Sequence, residues 1–340
     1  MGGAEVTTLS IIDALKKSDH QTTLYCIIPP NLAETKNFKI FKIPRTFPFL
    51  TAYQRMKKKE KLFKAAEKNE LIIVSDGSLF LERTQVSRII LYCHSTFQDI
   101  PEFIKWKPGG LKGWYFSKIQ NNLQASMEFF KNPKVQIVAN SDYTHNEILK
   151  RFDKTSKVVY PPVDLKKYSQ SFGNPKEKKI ITVSRFTPEK NLEFAVEVAN
   201  LTGLEHEIVG TAKQDYQVDL FRKLKQKAAK NVRLISNISS EELREKLGSA
   251  KVYFHPSKET FGIAVIEAIS AGAIPVVPDN SAHPETVPFE ELRFKNKEEA
   301  VQMLKHAVNG DYDHLRNDLR IHIGKFSVDV FQKGMLSLIN

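Results

Sequence analysis

The chain has 340 residues, 41% of them hydrophobic, and its 51 lysines and arginines outnumber 39 aspartates and glutamates for a formal net charge of +12. Such a length exceeds one ordinary core and fits two domains of about 150 residues each. The absence of repeats of about 20–50 residues excludes a solenoid, and no apolar run reaches the roughly 18–20 residues of a membrane-spanning helix. The start carries no signal-peptide pattern, so the expectation is a cytoplasmic protein. Charge is uneven: residues 1–160 hold 25 basic against 15 acidic side chains (+10), and residues 161–340 hold 26 against 24 (+2). The basic first half points to an anionic partner or an anionic membrane surface.

In chain order, MGGAEVTTLSIIDALKK opens with Gly2 and Gly3, which allow a backbone to approach a ligand closely, and continues as an amphipathic helix. Apolar runs at Thr23 to Ile28, Leu71 to Val74, Ile89 to Cys93 and Val135 to Ala139 predict strands alternating with helices, the pattern of covered parallel sheets. His94 follows the third run and so emerges at a strand's carboxyl end, where α/β folds bind ligands; a packing histidine is the plainer reading. Arg55 to Lys64 is a basic patch, and Phe103 to Lys118 interleaves Lys105, Lys107 and Lys112 with Trp106, Trp114, Tyr115 and Phe116. Rings beside lysines suit a membrane interface, and a solvated helix face over core aromatics accounts for them equally well. Asn140, Ser141 and Tyr143 sit where a helix Thr144 to Arg151 needs its cap. Cys26 and Cys93 stand in separate apolar runs and read as buried free thiols.

The prolines and charges from Tyr160 to Lys179 mark a linker. Domains are therefore expected at 1–160 and 180–324, joined by a linker at 161–179 and followed by a C-terminal helix within 325–340 that returns to the first domain. After a strand at Ile180 to Val183 come Arg185 and Lys190, then a helix from about Asn191. Two cations at a strand's carboxyl end can neutralise a diphosphate, although such a pair is more often solvated surface charge. Glu207 to Gly210 ends another strand on a glycine. Asn231 to Asn237 supplies a further strand and loop, and Ser239 with Glu242 forms a capping-box pattern for a helix Ser240 to Leu247.

HPSKETFGIAVIEAISAGAIPVVP then reads as a β-α-β unit: strand Val252 to His255, helix Ile263 to Ala271 and strand Ile274 to Val277, with Gly262 and Gly272 as punctuation. A helix N-terminus at the carboxyl end of a strand suits a phosphate. Glu259 lies just before that helix and Glu267 within it, and carboxylates accept hydrogen bonds from hydroxyls, so the ligand implied carries both diphosphate and sugar. Asp311 and Asp313 form a DxD in a polar turn, and the nine histidines show no paired metal spacing, so no metal is expected.

Together these motifs resemble the retaining glycosyltransferases of family GT4 (glycosyl transferase group 1), whose signature is this Glu-x7-Glu arrangement. The resemblance implies the GT-B fold, an α/β architecture of two Rossmann-like domains facing a central cleft. It implies that Glu267 binds the ribose hydroxyls of a nucleotide-sugar and that Glu259 lies beside the donor sugar. Backbone amides of Thr260, Phe261 and Gly262, leading into Ile263, would hold the sugar and distal phosphate, and Arg185 and Lys190 match the family's SR(x)4K phosphate clamp. Gly210 would precede the nucleotide-facing loop, Gly2 and Gly3 would approach the donor phosphates and the acceptor, and His94 would lie near the donor sugar.

Two departures stand out. The family has a complete strand ahead of the Gly-Gly loop and this chain has none, so the first-domain sheet lacks its first strand or the sequence begins late. Ser281 and Ala282 stand where a glycine pair is usual.

The expected function is metal-independent transfer of a sugar from a UDP- or GDP-sugar to a hydroxyl of a glycan or lipid-linked acceptor, with retention of configuration and no further cofactor. Contact with an anionic membrane surface accompanies this reading; nucleic acid is not an expected partner. The rivals are a noncatalytic sugar-nucleotide or glycan-binding protein of the same fold, and a basic scaffold for membranes or nucleic acids. Donor binding without turnover would mark the first, and salt-sensitive binding to anionic vesicles or oligonucleotides the second.

Overall fold

The computed structural model describes residues 3–26, 38–40, 51–75, 81, 83–97, 105 and 109–339. Gly2, residues 27–28 of the first expected strand and residues 103, 104 and 106–108 of the aromatic-basic segment lie outside them. The chain divides into two compact units, Met1–Val159 with Gln332–Asn340, and Tyr160–Phe331.

In the first unit β1 (Leu24–Cys26) pairs in parallel with β2 (Phe38–Ile40). A separate parallel sheet holds β3 (Leu71–Val74), β4 (Arg88–Cys93), β5 (Val135–Ala139) and β6 (Lys157–Val158), side by side in that order. Ile89 to Cys93 are completely buried, as a central strand covered on both faces requires. Helix Thr51–Ala66 turns Met56, Phe63 and Ala66 inward and exposes Lys57, Lys61 and Lys64, so the basic patch is the solvent face of an amphipathic helix. Helix Gly110–Phe130 buries Ile119, Leu123 and Phe130, while Trp114 remains 63% exposed. Ser141 caps helix Asp142–Phe152 by accepting from the Thr144 N–H at 3.0 Å. Cys93 is buried and Cys26 half-buried, and neither is in a disulfide. The C-terminal end of the chain is bound here: Gln332 donates to Asp13 Oδ2 at 2.8 Å, and the Arg88 guanidinium donates to the carbonyls of Leu338 and Ile339.

The second unit contains a six-stranded parallel sheet: β7 (Glu177–Arg185), β8 (His206–Thr211), β9 (Val232–Ser236), β10 (Ala250–Phe254), β11 (Ile274–Pro278) and β12 (Arg293–Phe294). Its order is β12-β11-β10-β7-β8-β9. The chain builds outward from β7 to β9, returns to the centre, and builds outward the other way from β10 to β12. The direction therefore reverses between β7 and β10, which opens a crevice at their carboxyl ends. β7 and β8 pack so closely at Gly210 that a Cβ there would lie 1.8 Å from the Ser184 carbonyl oxygen.

Residues 160–176 pack onto this unit. Asp164 caps helix Leu165–Ser169 through the Lys167 N–H (3.1 Å), and the Ser270 hydroxyl donates to the Leu165 carbonyl (2.8 Å). Lys176 then spends its three donors on the carbonyls of Ser171 (2.7 Å), Gly248 (2.6 Å) and Ala271 (2.6 Å). These carbonyls lie at or just past the C-terminal ends of helices Leu165–Ser169, Ser240–Ser249 and Ile263–Ser270. One ammonium thus satisfies orphan acceptors, and opposes the negative dipole ends, of three helices at once.

Candidate functional site

The crevice of the second unit gathers the residues that the Glu-x7-Glu string and the Arg-Lys pair had singled out. Arg185 is the last residue of β7, and Lys190 ends the 3-10 turn Pro188–Lys190 that follows. Asn191, in left-handed conformation (φ +49°), donates its side-chain amide to the Pro256 carbonyl at 3.1 Å and ties this loop to the one after β10. Across that tie Lys190 Nζ meets Glu259 Oε1 at 2.5 Å. Arg185 remains 63% exposed, 3.6 Å from Glu189.

Glu259 rests on a buried network. His255 Nε2 lies 3.1 Å from Glu259 Oε1 and also 3.1 Å from the Ser257 hydroxyl, and His255 Nδ1 lies 3.1 Å from the Tyr253 hydroxyl. Burial by itself pushes the Glu259 carboxyl up, but the His255 hydrogen bond and the charges of His255 and Lys190 outweigh it and hold the group down at about 2. An ionised carboxylate only accepts, so His255 Nε2 donates to Glu259 Oε1, while the Tyr253 hydroxyl beside Nδ1 also reaches the Val183 carbonyl at 3.4 Å. Every one of these partners converges on Oε1; among the described residues Oε2 has no hydrogen-bond partner. His283 packs against His255 with ring centroids 5.2 Å apart and places Nε2 3.0 Å from the Ser257 carbonyl. Burial, with the neighbouring His255 charge second, lowers His283 to about 3. The loop before it takes Ser281 into the left-handed region (φ +56°) where the family usually has glycine, and the Ala282 N–H closes onto the Glu259 carbonyl at 3.1 Å.

Next along the chain, Phe261 is 2% exposed and anchors the Thr260–Gly262 loop among the rings of Tyr160 (5.8 Å) and Phe326 (5.1 Å). Only its backbone is available to a ligand. Gly262 at φ +94° turns the chain into helix Ile263–Ser270, which begins with no side-chain cap and no acid in its first turn. Its first amides and dipole are therefore open to an anion. Glu267 lies one turn further, half-buried, with Oε1 accepting the Tyr168 hydroxyl at 2.9 Å and no partner for Oε2 among the described residues. Burial raises its carboxyl above the usual range, against the Tyr168 hydrogen bond and the Lys167 charge. Gly210 ends in a backbone zipper: its carbonyl accepts the Asn237 N–H (2.9 Å), and the Asn237 side chain exchanges two hydrogen bonds with the backbone of Ala212 (3.0 and 3.2 Å).

In the first unit His94 Nε2 lies 3.2 Å from the Ser75 hydroxyl, which receives Thr8 Oγ1 at 3.0 Å. These bonds join the carboxyl ends of β3 and β4 to helix Gly3–Lys17. Gly3 is the first residue of that helix and not part of a preceding loop, and its carbonyl accepts the Thr7 hydroxyl at 3.0 Å.

Asp311 pairs with His306 (2.5 Å) and Asp313 with Arg316 (2.7 Å) and Lys251 (3.2 Å), so the DxD is a charged turn. Among the described residues no group of three His, Cys, Asp or Glu side chains is arranged to hold a metal ion. A cavity of about 440 Å³ in the first unit, lined by Arg88, Lys134, Lys154 and Lys157, lies at the amino ends of β4, β5 and β6, away from the strand ends that carry His94. Two of its cations serve the fold: Arg88 bonds the C-terminal carbonyls, and Lys154 the carbonyls of Lys131 (3.4 Å) and Asn132 (3.3 Å) past a helix end.

Sequence reasoning left out Tyr168, Tyr253, His255, Ser257 and His283. His255 stood four residues before Glu259 in the motif itself. Tyr168 reaches Glu267 across 99 residues, a separation that leaves no local signal.

The chain resembles known proteins in both sequence and fold. The family profile "Glycosyltransferase Family 4" matches residues 1–167 and "Glycosyl transferases group 1" matches residues 165–317. A GDP-Man:Man(3)GlcNAc(2)-PP-Dol alpha-1,2-mannosyltransferase of Dictyostelium discoideum is 29% identical over 174 residues, which span 44% of this chain and 34% of that one, about a third of its length. Among solved structures, Anabaena Alr3699/HepE in complex with UDP and glucose superposes with a TM-score of 0.70 at 16% identity, covering 99% of this chain and 96% of its own. WaaG, a glycosyltransferase involved in lipopolysaccharide biosynthesis, gives 0.71 at 13% identity, covering 98% and 95%. The fold is GT-B, and with consecutive family profiles running from residue 1 to residue 317, the chain belongs to the group 1, family 4 glycosyltransferases.

Proposed function

We propose that the protein transfers a sugar from a UDP- or GDP-sugar to a hydroxyl of a glycan or lipid-linked acceptor, with retention of configuration and without a required metal. The observation that carries this reading is the crevice between β7 and β10: a lysine, an ionised glutamate, an uncapped helix N-terminus and a second carboxylate with a free oxygen lie in sequence along it. The helix amides take the distal phosphate, Glu267 takes the ribose hydroxyls, and Glu259 Oε2 takes a hydroxyl of the donor sugar. Arg185 and Lys190 stabilise the charge that grows on the departing diphosphate, the role a metal would otherwise fill.

The acceptor oxygen forms its bond to the anomeric carbon on the face from which the diphosphate oxygen departs, and the acceptor proton passes to that diphosphate. The first unit, with His94 at the end of β4, takes the acceptor. Its surplus of basic residues and the exposed Trp114 support an anionic or membrane-borne one. The relatives support either base: the Dictyostelium enzyme is named for GDP-mannose, and HepE was solved with UDP.

Calorimetry against UDP, GDP, ADP and their sugar conjugates tests the reading. One nucleotide is expected to bind, and Glu267→Ala to weaken it at least about tenfold, the value of one charge-assisted hydrogen bond. Binding of none of them to the wild-type protein would refute the proposal.

A further inference from the structure

Among the described residues, Tyr168 is the one side chain hydrogen-bonded to Glu267. It comes from the segment through which the chain enters the second unit, and that segment is fastened at both ends. Asp164 caps its helix, Ser270 bonds its first carbonyl, and Lys176 locks its exit to two other helices. The phenol ring is buried, so the hydroxyl arrives at Glu267 Oε1 from a fixed mount at 2.9 Å. Oε1 is thereby held, and among the described residues no side chain bonds Oε2, which is left for a ligand. The arrangement repeats what His255 and Lys190 do at Glu259, where the partners again hold Oε1 only.

We propose that Tyr168 is a positioning residue for nucleotide recognition: by pinning one oxygen of Glu267 it fixes the direction in which the other meets the ribose, and so sets discrimination between ribose and deoxyribose. This rests on the assignment of Glu267 to the ribose. A carboxylate free to rotate about its last torsion would spread its acceptor directions and lose part of the hydroxyl's contribution to binding. Among the described residues, the charged and titratable groups around the pair are Lys167 and Asp164 on the same segment, Arg244 on helix Ser240–Ser249 and Tyr253 on β10. None of them donates a hydrogen bond to Glu267.

The test measures affinities for UDP and GDP beside their 2′- and 3′-deoxy forms, on wild type, Tyr168→Phe and Glu267→Gln. Tyr168→Phe keeps the ring and its packing. Wild type is expected to prefer the ribonucleotide by about tenfold, and Tyr168→Phe to lose most of that preference while binding the deoxy forms as wild type does. Losing the donor also leaves Glu267 easier to protonate, so the acid limb of nucleotide affinity moves to higher pH in Tyr168→Phe. A 3-fluorotyrosine placed at this position is a stronger donor of the same shape, and moves that limb to lower pH even if Tyr168→Phe is unstable. Wild-type discrimination in Tyr168→Phe, with affinity lost in Glu267→Gln, would overturn the inference and leave the ribose assignment standing. Unchanged affinity in Glu267→Gln would sink both.

Discussion

Glu259 owes its ionisation to what crowds one of its oxygens. A carboxyl as enclosed as this one would ordinarily hold its proton, yet a lysine and a histidine on Oε1 reverse the balance and bring it to about 2. The folded value lies below the unfolded one near 4.5, so the interaction stabilises the fold fully above pH 4.5 and is lost as pH falls towards 2, at about 1.4 kcal/mol per pH unit. His255→Ala removes the leading favourable partner, and the Glu259 carboxyl is expected to rise. The acid limb of the kcat/KM profile should then move to higher pH, whereas Ser257→Ala should leave it nearly in place. Glu259→Gln keeps the shape but not the charge, and is expected to lower kcat by about 100-fold, as loss of a preorganised electrostatic partner does. The motif named Glu259 and Lys190 as separate candidates. Their contact at 2.5 Å, and the histidine behind it, depend on two loops brought together by Asn191 and Pro256.

The elements that carry these residues were legible because their periods are strong. The run that predicted a strand at Ile274 to Val277 is β11, and the apolar helix after Gly262 begins at Ile263. Boundaries shifted where hydrogen bonding, not hydrophobicity, sets them: β7 starts at Glu177, three residues before its apolar core, because an exposed strand end pairs as well as a buried one. Glycines act here as spacers between elements. At Gly210 a Cβ would sit against the Ser184 carbonyl oxygen and force β7 and β8 apart. Gly210→Ala is therefore expected to cost about 2–3 kcal/mol or more, seen as a lower urea midpoint with an unchanged slope. Gly262→Ala meets no such wall, its nearest neighbour being Val265 Cγ2 at 3.4 Å, but the left-handed conformation costs about 1–2 kcal/mol. Its expected signature is a modest loss of stability with a larger loss of nucleotide affinity, because the helix start moves.

For the chain as a whole, acid sensitivity follows from two histidines sealed in the second unit. Burial lowers His206 to about 3, and burial lowers His283 to a similar value. The unfolded chain takes up these protons near pH 6.5 while the folded unit refuses them until about 3, so acid favours unfolding. Stability of that unit should fall by about 1.4 kcal/mol per pH unit for each histidine across this window. Urea unfolding at pH 7 and pH 5 measures the slope, and His206→Asn should reduce it by about half. The sequence by itself determined the class of the molecule: alternating strand and helix periods demand covered parallel sheets, and the Glu-x7-Glu string points to the crossover proposed to carry the anion site. Only the tertiary structure decided which oxygen of each glutamate is held and which is presented. That choice is made by Tyr168, His255 and Lys190, residues brought to the carboxylates by sheet order and loop packing, and hydrogen-bond partners separated by up to 99 residues leave no period in a sequence to read.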